Sequence, residues 1–492
     1  MSVNTPTAAA PLCAGPDFKP QPPAFKMPAN ACDTHAHVMG PASRYDYSPA
    51  RVYTPPDCST EQYRHLLDTL GVTLGGSREP AAVIAAQALD LAPGPALLLG
   101  QGRRVGALDA ALVNGTASHA LDFDDSSNTM GGHPSAPVLS ALLPLADELG
   151  SNGRDFVTAY VAGFEVECKV ALAVNFHHYQ KGWHPTATLG VFGAAAACAR
   201  LMGLDAHRTA TALALAASFA SGLKANFGTM TKPLHVGHCA RNGLLAARLA
   251  QRDFTANTRN VFEHDQGFLD VFNGPGTYDT ARAIARWAAP LDIVAPGIAI
   301  KQYPCCGSTH PAIDALLALV RQHAWVPGDI KRIEAWIHPR RLKHTNRPEP
   351  ASALDAKFSL QYVLARAVVD GYVALEHFDG DAYADPRVRA LLPRVAVAPY
   401  DDTQFEASNH FAAAVRVTLQ GGSVHDSRVE QALGRTSAHP LPQALLEAKF
   451  ALCAGRVLEP RAVAVIADIV QHIEELDDLH RLTGELAKVV PA

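Results

Sequence analysis

Histidine and carboxylate side chains cluster in one short stretch of the sequence. Residues 119–125 read His-Ala-Leu-Asp-Phe-Asp-Asp, and a Gly-Gly-His-Pro-Ser segment follows at 131–135. Carboxylates beside a histidine orient and charge the imidazole, which makes it a usable acid or base near neutral pH. A solvated acidic loop with an Asp helix cap is the alternative interpretation. The Gly-Gly-His-Pro turn favours catalysis, with Asp122 and His133 as the candidate residues.

Two further segments place cations where helices begin. His184 stands directly before Pro185, which is well tolerated in the first turn of a helix, and helix N-termini attract anions. A packed capping histidine is the alternative there. Lys232 precedes a proline in Thr-Lys-Pro-Leu-His-Val-Gly-His, where it is well placed as a point charge for carboxylates. His235 and His238 have the i, i+3 spacing of metal ligands, but no third ligand accompanies them, so we expect no metal site.

A fourth segment, at 301–310, contains Lys301, Cys306 and His310 at the expected entry to a second domain. At a domain junction this segment would form a cationic wall of a cleft that binds a ligand. Lys232, Lys301, His133, His184 and His310 together are an unusual set of cations for a chain whose net charge is -5. A small polyanionic substrate would use them.

The composition excludes several classes of protein. Hydrophobic residues make up 48% of the 492 and charged residues 18%, without a basic block, so we expect a globular protein that binds no nucleic acid. The Ala-rich stretches never reach the roughly 18 consecutive apolar residues of a membrane helix. Nine cysteines without a CxxC pair make disulfides and cysteine-rich metal sites improbable. We therefore expect a cytoplasmic protein that needs no cofactor.

Hydrophobic periodicity predicts a mainly α protein. Residues 67–296 form the first part of a large all-α helical domain, and small residues at 190–197 permit close helix contact. The predicted helices of this part are 136–148, 156–174, 186–202, 207–223 and 240–251.

A smaller α+β lid domain is predicted as an insertion at 297–434, because β-forming residues dominate 330–337 and 415–419. Its helices are 311–323 and 358–373. The helical domain resumes at 435–492, with helices 441–454 and 461–479. Residues 1–66 are Pro-rich and end in a short predicted helix from Ser59 to Leu70.

From Leu67 onward the sequence resembles the MmgE/PrpD family, which includes 2-methylcitrate dehydratase and cis-aconitate decarboxylase. The motifs that carry this resemblance are Leu67-Asp-Thr-Leu-Gly-Val, Gly76-Ser-Arg-Glu-Pro, Asp122-Phe-Asp-Asp, His133-Pro-Ser, His184-Pro, Thr231-Lys-Pro-Leu-His, Lys301 and Tyr303-Pro.

The resemblance implies a cofactor-independent lyase, usually dimeric, that acts on a small polycarboxylate in the manner of 2-methylcitrate dehydratase. It implies that Lys232 and Lys301 stabilise charge next to a carboxylate while a histidine moves the proton. We expect His133 to be that histidine, oriented by Asp122. The residues implied to line the site are Asp122, His133, His184, Lys232 and Lys301, with Ser126, Tyr362, Cys306 and His310 as substrate-binding candidates.

Two departures from the family leave the particular reaction open. The decarboxylase branch has a histidine where this chain has Cys306, and its loop corresponding to Asp122–His133 is one residue shorter. Dehydration, decarboxylation and isomerisation of related acids use the same cations.

Residues 29–66 resemble a different family, the metal-dependent amidohydrolases of the lactonase type. Cys32-Asp-Thr-His-Ala-His resembles the end of their first barrel strand, where His35 and His37 would bind metal. A (β/α)8 barrel needs roughly 250 residues, whereas from Leu67 onward this chain resembles the MmgE/PrpD family instead. The alternatives to a lyase are therefore a hydrolase that uses His35 and His37, or a catalytically silent fusion.

Overall fold

A computed structural model describes residues 64–285, 287, 290–406 and 409–490, and within them the protein is mainly helical. The predicted helix start at Ser59 and the His35/His37 pair lie outside the described residues. The first part of the helical domain consists of α1 (Arg64–Gly76), α2 (Pro80–Gln87), α3 (Ala107–Ala120), α4 (Ser135–Leu149), α5 (Gly153–Val174), α6 (His177–Lys181), α7 (Pro185–Thr188), α8 (Gly190–Leu201), α9 (Ala206–Phe219), α10 (Thr231–Gln251), α11 (Phe268–Phe272) and α12 (Thr280–Ile284).

Small residues let the central helices touch backbone to backbone. A Cβ on Gly115 of α3 would lie 2.7 Å from the Cα of Gly237 in α10, and one on Gly237 would lie 2.1 Å from the carbonyl oxygen of Leu112. These two positions therefore accept no side chain without moving a helix. The crossing brings the start of α10 beside the end of α3.

Short strands interrupt the helices. The hairpin β1 (Pro93–Leu98) and β2 (Arg103–Val105) was not predicted. The strand β3 (Ser126–Ser127) pairs antiparallel with β4 (Ile298–Ala299), so the acidic loop after α3 is tied to the segment that leads to Lys301.

A four-stranded sheet forms a second body with its own apolar core. Its order is β6-β5-β7-β8, with β5 and β6 parallel and the other neighbours antiparallel. We call this part of the chain the sheet unit. Its elements are α13 (His310–His323), β5 (Ile330–Ile337), α14 (Pro339–Thr345), α15 (Ala353–Ala356), α16 (Leu360–Val369), α17 (Pro386–Arg389), β6 (Val395–Pro399), β7 (Ala413–Leu419) and β8 (Val424–Val429).

The end of the chain is helical again and packs on the first helix. It forms α18 (Gln443–Ala454), α19 (Pro460–Gln471) and α20 (His480–Leu486). Phe450 of α18 packs in one apolar cluster with Leu66 and Leu70 of α1. Among the described residues, no helix has the length and hydropathy needed to cross a bilayer.

The fold corrects several predicted helices, and the one expected at 461–479 ends at Gln471. The helix expected at 240–251 begins at Thr231, so the Lys232 motif lies inside its first turns and not before it. Proline is tolerated there because the first amides of a helix have no partner within it. The helix expected at 186–202 is divided after Thr188.

Candidate active site

Four of the five predicted cationic residues, all except His310, meet in one cavity between the helical domain and the sheet unit. Its volume is about 130 Å³. The helical domain contributes Asp122, Ser126, His133, His184, Lys232 and several neutral residues, while Lys301, Cys306, Ser308, Arg340, Arg341, His344, Phe358, Phe411 and Arg435 come from later in the chain.

Asp122 joins the two lysines of the cavity. Lys232 Nζ lies 2.5 Å from its Oδ1, and Lys301 Nζ lies 3.4 Å from its Oδ2. Burial alone would raise the pKa of Asp122, but the two lysines hold it well below its usual range. The carboxylate is therefore ionised at neutral pH and holds the two lysine side chains at fixed positions.

Three lysines hold the backbone of this loop in place. Consecutive carbonyl oxygens of Leu121, Asp122 and Phe123 accept hydrogen bonds from the Nζ atoms of different lysines, each of which is buried. The donors are Lys357 at 2.5 Å, Lys301 at 2.6 Å and Lys449 at 2.8 Å. Asp122 has a φ of 54°, which side-chain-bearing residues rarely adopt, and these bonds stabilise that conformation.

Asp124, and not Asp122, supports the candidate proton-transfer histidine. Its Oδ2 lies 2.7 Å from His119 Nδ1 and 3.2 Å from His133 Nδ1. The expectation that Asp122 orients His133 is therefore wrong, because Asp122 is engaged by the lysines. Burial lowers the pKa of His119 to about 3, so this ring is neutral. His133 is the partly exposed member and faces the cavity.

The same three side chains have the spacing of a metal site. One ligand atom from each of His119, Asp124 and His133 lies within 4.8 Å of the others. Two imidazoles and a carboxylate suit zinc as well as a hydrogen-bonded proton relay. His235 and His238, the pair considered from the sequence, point elsewhere: His235 Nδ1 lies 3.2 Å from His184 Nδ1, and His238 contacts Ser221.

Local structure explains how His133 and His184 reach the cavity. The amide of His133 donates to Thr186 Oγ1 at 3.2 Å, so the turn after the acidic loop packs on the first turn of α7. His184 immediately precedes that turn and is buried. Burial, and then the neighbouring His119, lower the pKa of His184 well below its usual value. At neutral pH His184 is therefore an uncharged hydrogen-bonding group.

Cys306 and His344 face the cavity from the sheet unit. Burial raises the pKa of the Cys306 thiol, but the hydrogen bond with His344, the charge of His344 and a backbone hydrogen bond from Ser308 together outweigh burial and bring the pKa to about 7. His344 Nε2 also lies 3.2 Å from Ser308 Oγ. A thiol with this pKa exchanges a proton readily near neutral pH.

Three arginines that were not predicted complete the cationic lining. Arg340 and Arg341 occupy the start of α14, and Arg435 follows β8 in the chain. Arg435 donates to Ser126 Oγ at 3.2 Å and to Asn128 Oδ1 at 2.6 Å. The adjacent arginines after a strand are visible in the sequence, but only the folded sheet brings them to the cavity that Asp122 also lines.

Two predicted substrate-binding residues lie outside the cavity. Tyr362 is buried in the core of the sheet unit, where its hydroxyl donates to the carbonyl of His377 at 2.5 Å and accepts from Arg366. His310 is buried against Tyr303, with Nε2 3.2 Å from the carbonyl of Cys305. Neither is among the residues that line the cavity, so both assignments are wrong. Ser126 and Cys306 do line it.

Fold and cavity together define a mainly helical enzyme whose site combines lysines, arginines and a carboxylate-supported histidine. Family models agree with this class. The MmgE/PrpD N-terminal domain model matches residues 50–281, and the MmgE/PrpD C-terminal domain model matches 303–475. The chain belongs to the MmgE/PrpD family.

Relatives of the family carry names of carboxy-lyases, which confirms the predicted lyase class. The human cis-aconitate decarboxylase is 34% identical over 76% of this chain and 78% of its own length. The Aspergillus terreus cis-aconitate decarboxylase is 27% identical over 79% of this chain and 82% of its own length.

A second, short similarity agrees with the predicted hydrolase-like fragment. The 4-sulfomuconolactone hydrolase of Hydrogenophaga intermedia is 46% identical over 66 residues, which are 13% of this chain and 22% of the hydrolase. The chain therefore spans less than a quarter of that relative. So short a match contains too little of a barrel to transfer the hydrolase activity.

Proposed function

We propose that this protein is a carboxy-lyase that removes CO₂ from a small unsaturated tricarboxylate of the cis-aconitate type. The observation that carries the proposal is the charge of the cavity, which, among the described residues, five lysine and arginine side chains and a single carboxylate line. A compact polyanion neutralises such a lining. The named activity of the decarboxylase relatives supports the choice of acid.

The lysines act on the reacting end of the substrate. When the C–C bond to the departing carboxylate breaks, its electron pair stays on the remaining carbon skeleton and spreads into the adjacent unsaturated carboxylate. Lys232 and Lys301, held by Asp122 and buried, stabilise that charge where solvent screens it least. A proton must then reach carbon to complete the product.

His133 is the proposed proton donor. It is the histidine of the His119–Asp124–His133 group that faces the cavity, and its Nδ1 lies 3.2 Å from Asp124 Oδ2, which orients the ring. His119 is buried and neutral, so it holds Asp124 in place and carries no charge of its own. His184 supplies a neutral hydrogen-bonding group on the same wall.

Dehydration of a hydroxy acid related to 2-methylcitrate is the second candidate. Cys306 favours it, because this chain has a thiol where the resemblance leads us to expect histidine in decarboxylases. With its pKa brought to about 7, Cys306 can take, as the thiolate, the proton from the carbon next to a carboxylate, while His133 gives the hydroxyl group the proton with which it leaves as water. The same lysines would stabilise the charge that develops.

One product analysis separates the two reactions. Purified protein is incubated with cis-aconitate, citrate or 2-methylcitrate, with and without a chelator, and the products are followed by ¹³C NMR. CO₂ with an unsaturated dicarboxylate supports decarboxylation, whereas an unsaturated tricarboxylate from 2-methylcitrate supports dehydration. Absence of turnover and of any thermal shift with all three acids would refute both. Loss of activity with the chelator would assign a metal to the His119–Asp124–His133 group.

Two sequence predictions extend this proposal beyond the site. We propose that the sheet unit acts as a lid, because Arg340, Arg341 and His344 of its helix α14 line the cavity together with residues of the helical domain. Small-angle scattering with and without cis-aconitate tests closure, since a moving lid changes the radius of gyration. Assembly as a homodimer stays a prediction, which light scattering on the purified chain checks.

A further inference from the structure

Two arginine side chains of the cavity lining, Arg341 and Arg435, lie close to each other. The Cζ atoms of Arg341 and Arg435 lie 4.5 Å and 3.9 Å from the ring centroid of the same residue, Phe411. The two charges are therefore within about 8 Å of each other and repel. Burial, followed by the charge of Arg341, lowers the pKa of Arg435 to about 9.

Neither arginine is neutralised within the described part of the chain. Arg347 of the same sheet unit pairs with Asp355, and Arg366 pairs with Asp370 at 3.0 Å. Arg341 and Arg435, by contrast, have no carboxylate within 4.0 Å in residues 64–490 as described.

The hydrogen-bond donors of the two side chains are also incompletely used. Arg435 donates to the neutral oxygens of Ser126 and Asn128, but its buried Nε has no acceptor in the described structure. The buried Nε of Arg341 likewise has none there. Unmatched buried donors cost free energy that an anionic ligand would recover.

We propose that Arg341 and Arg435 form a subsite for the third carboxylate of the substrate, the one that cis-aconitate carries on its carboxymethyl group, so that the enzyme selects tricarboxylates over dicarboxylates. The proposal rests on the proposed function. A planar guanidinium presents two parallel donors to a carboxylate, which a lysine cannot do. The lysines at Asp122 then stabilise the charge that develops on the unsaturated carboxylates, and the two arginines hold the carboxymethyl carboxylate.

A pair of matched ligands tests this division. Citraconate has the cis-butenedioate skeleton of cis-aconitate with a methyl group in place of the carboxymethyl group. Binding of each acid to the full-length protein and to Arg341→Gln and Arg435→Gln is measured by calorimetry. Arg332→Gln is the control, because Arg332 is exposed on β5 and its loss changes the net charge equally.

We expect Arg341→Gln and Arg435→Gln each to weaken cis-aconitate binding about 10-fold to 150-fold, the range for a lost charged hydrogen bond. Citraconate binding should change less than about threefold, because that ligand has no third carboxylate. Arg332→Gln should bind both acids like the unmodified protein. The Arg341 variant is the cleaner one, since Arg435 also ties Ser126 and Asn128 to the sheet unit.

The outcomes separate the subsite from the proposed function. Equal weakening of both acids would assign the arginines to the fold or to the general potential, and unchanged binding of both would leave them no role; either result overturns the subsite. If the unmodified protein binds neither acid, the proposed function fails and the subsite fails with it. Melting midpoints of all variants report whether they fold.

Discussion

Replacing Lys232 with methionine tests the core of the proposed mechanism. The substitution keeps the length of the side chain and removes its charge, which lies 2.5 Å from Asp122 Oδ1 and is 6% exposed. At an effective dielectric constant of about 20, a unit charge about 4 Å from a substrate carboxylate contributes about 4 kcal/mol. If Lys232 makes such a contact in the transition state, kcat/KM falls by about 10³-fold.

Stability should fall much less than activity. Lys232→Met leaves Asp122 with Lys301 as a partner at 3.4 Å, so the carboxylate is not left as an isolated buried charge. The pKa of Asp122 should rise because one of its two lysines is lost. Steady-state kinetics and circular dichroism measure the two effects separately. Lys488→Met, at an exposed lysine, controls for the change in net charge.

The result that would refute this reasoning is a folded Lys232→Met protein whose kcat/KM stays within about threefold of the unmodified enzyme. Lys232→Arg gives an independent check, since it keeps the charge but changes the shape of the donor. Partial activity in that variant supports a role of charge at this position. Equal losses in the methionine and arginine variants would instead indicate that packing decides.

Three further predictions use other buried groups. His133→Ala should lower kcat by at least about 100-fold with an unchanged melting midpoint, and normal turnover would remove this histidine from the mechanism. Lys449→Met should lower the melting midpoint by about 5 °C, because the Asp68 carboxyl and the carbonyl of Phe123 lose a hydrogen-bond donor. Burial raises the pKa of Asp68, so its carboxyl becomes neutral in the variant, and the free energy of unfolding falls by about 3 kcal/mol. Burial raises the pKa of Asp125 to about 8, so its contribution to stability is present below its unfolded pKa and is lost as pH rises towards 8. The melting midpoint should therefore fall between pH 6 and pH 8, and Asp125→Asn should flatten that slope; an unchanged slope would contradict the assignment.

Much of the fold was predictable because its elements have strong periods. The strand at 330–337 has the predicted bounds. Its buried positions, Ile330, Ile333, Ala335 and Ile337, are the apolar residues whose pattern predicted it. The start of α10 was missed because Pro233 interrupts the helical pattern. Two-residue strands such as β3 have no period to detect, and their pairing depends on tertiary contacts.

The site was predictable where motifs carried it. Asp122, His133, His184, Lys232 and Lys301 reach one cavity, although their roles stay predictions. The arginines of the sheet unit could not be placed, because α14 and the segment after β8 approach the cavity only once the sheet has formed. Tyr362 was misassigned because its helix turns that residue into the core.

The bond from Lys449 to the loop at Phe123 also has a consequence for biosynthesis. The residues it joins are more than 300 positions apart, and a ribosome makes the acidic loop long before it makes α18. The loop therefore forms its hydrogen bond with Lys449 only when the chain is nearly complete. A nascent chain that already contains every lysine and histidine of the cavity still lacks the loop geometry that the reaction needs. Ribosome-bound chains that end before residue 443 should consequently be inactive, and activity should appear only after the final helices have emerged.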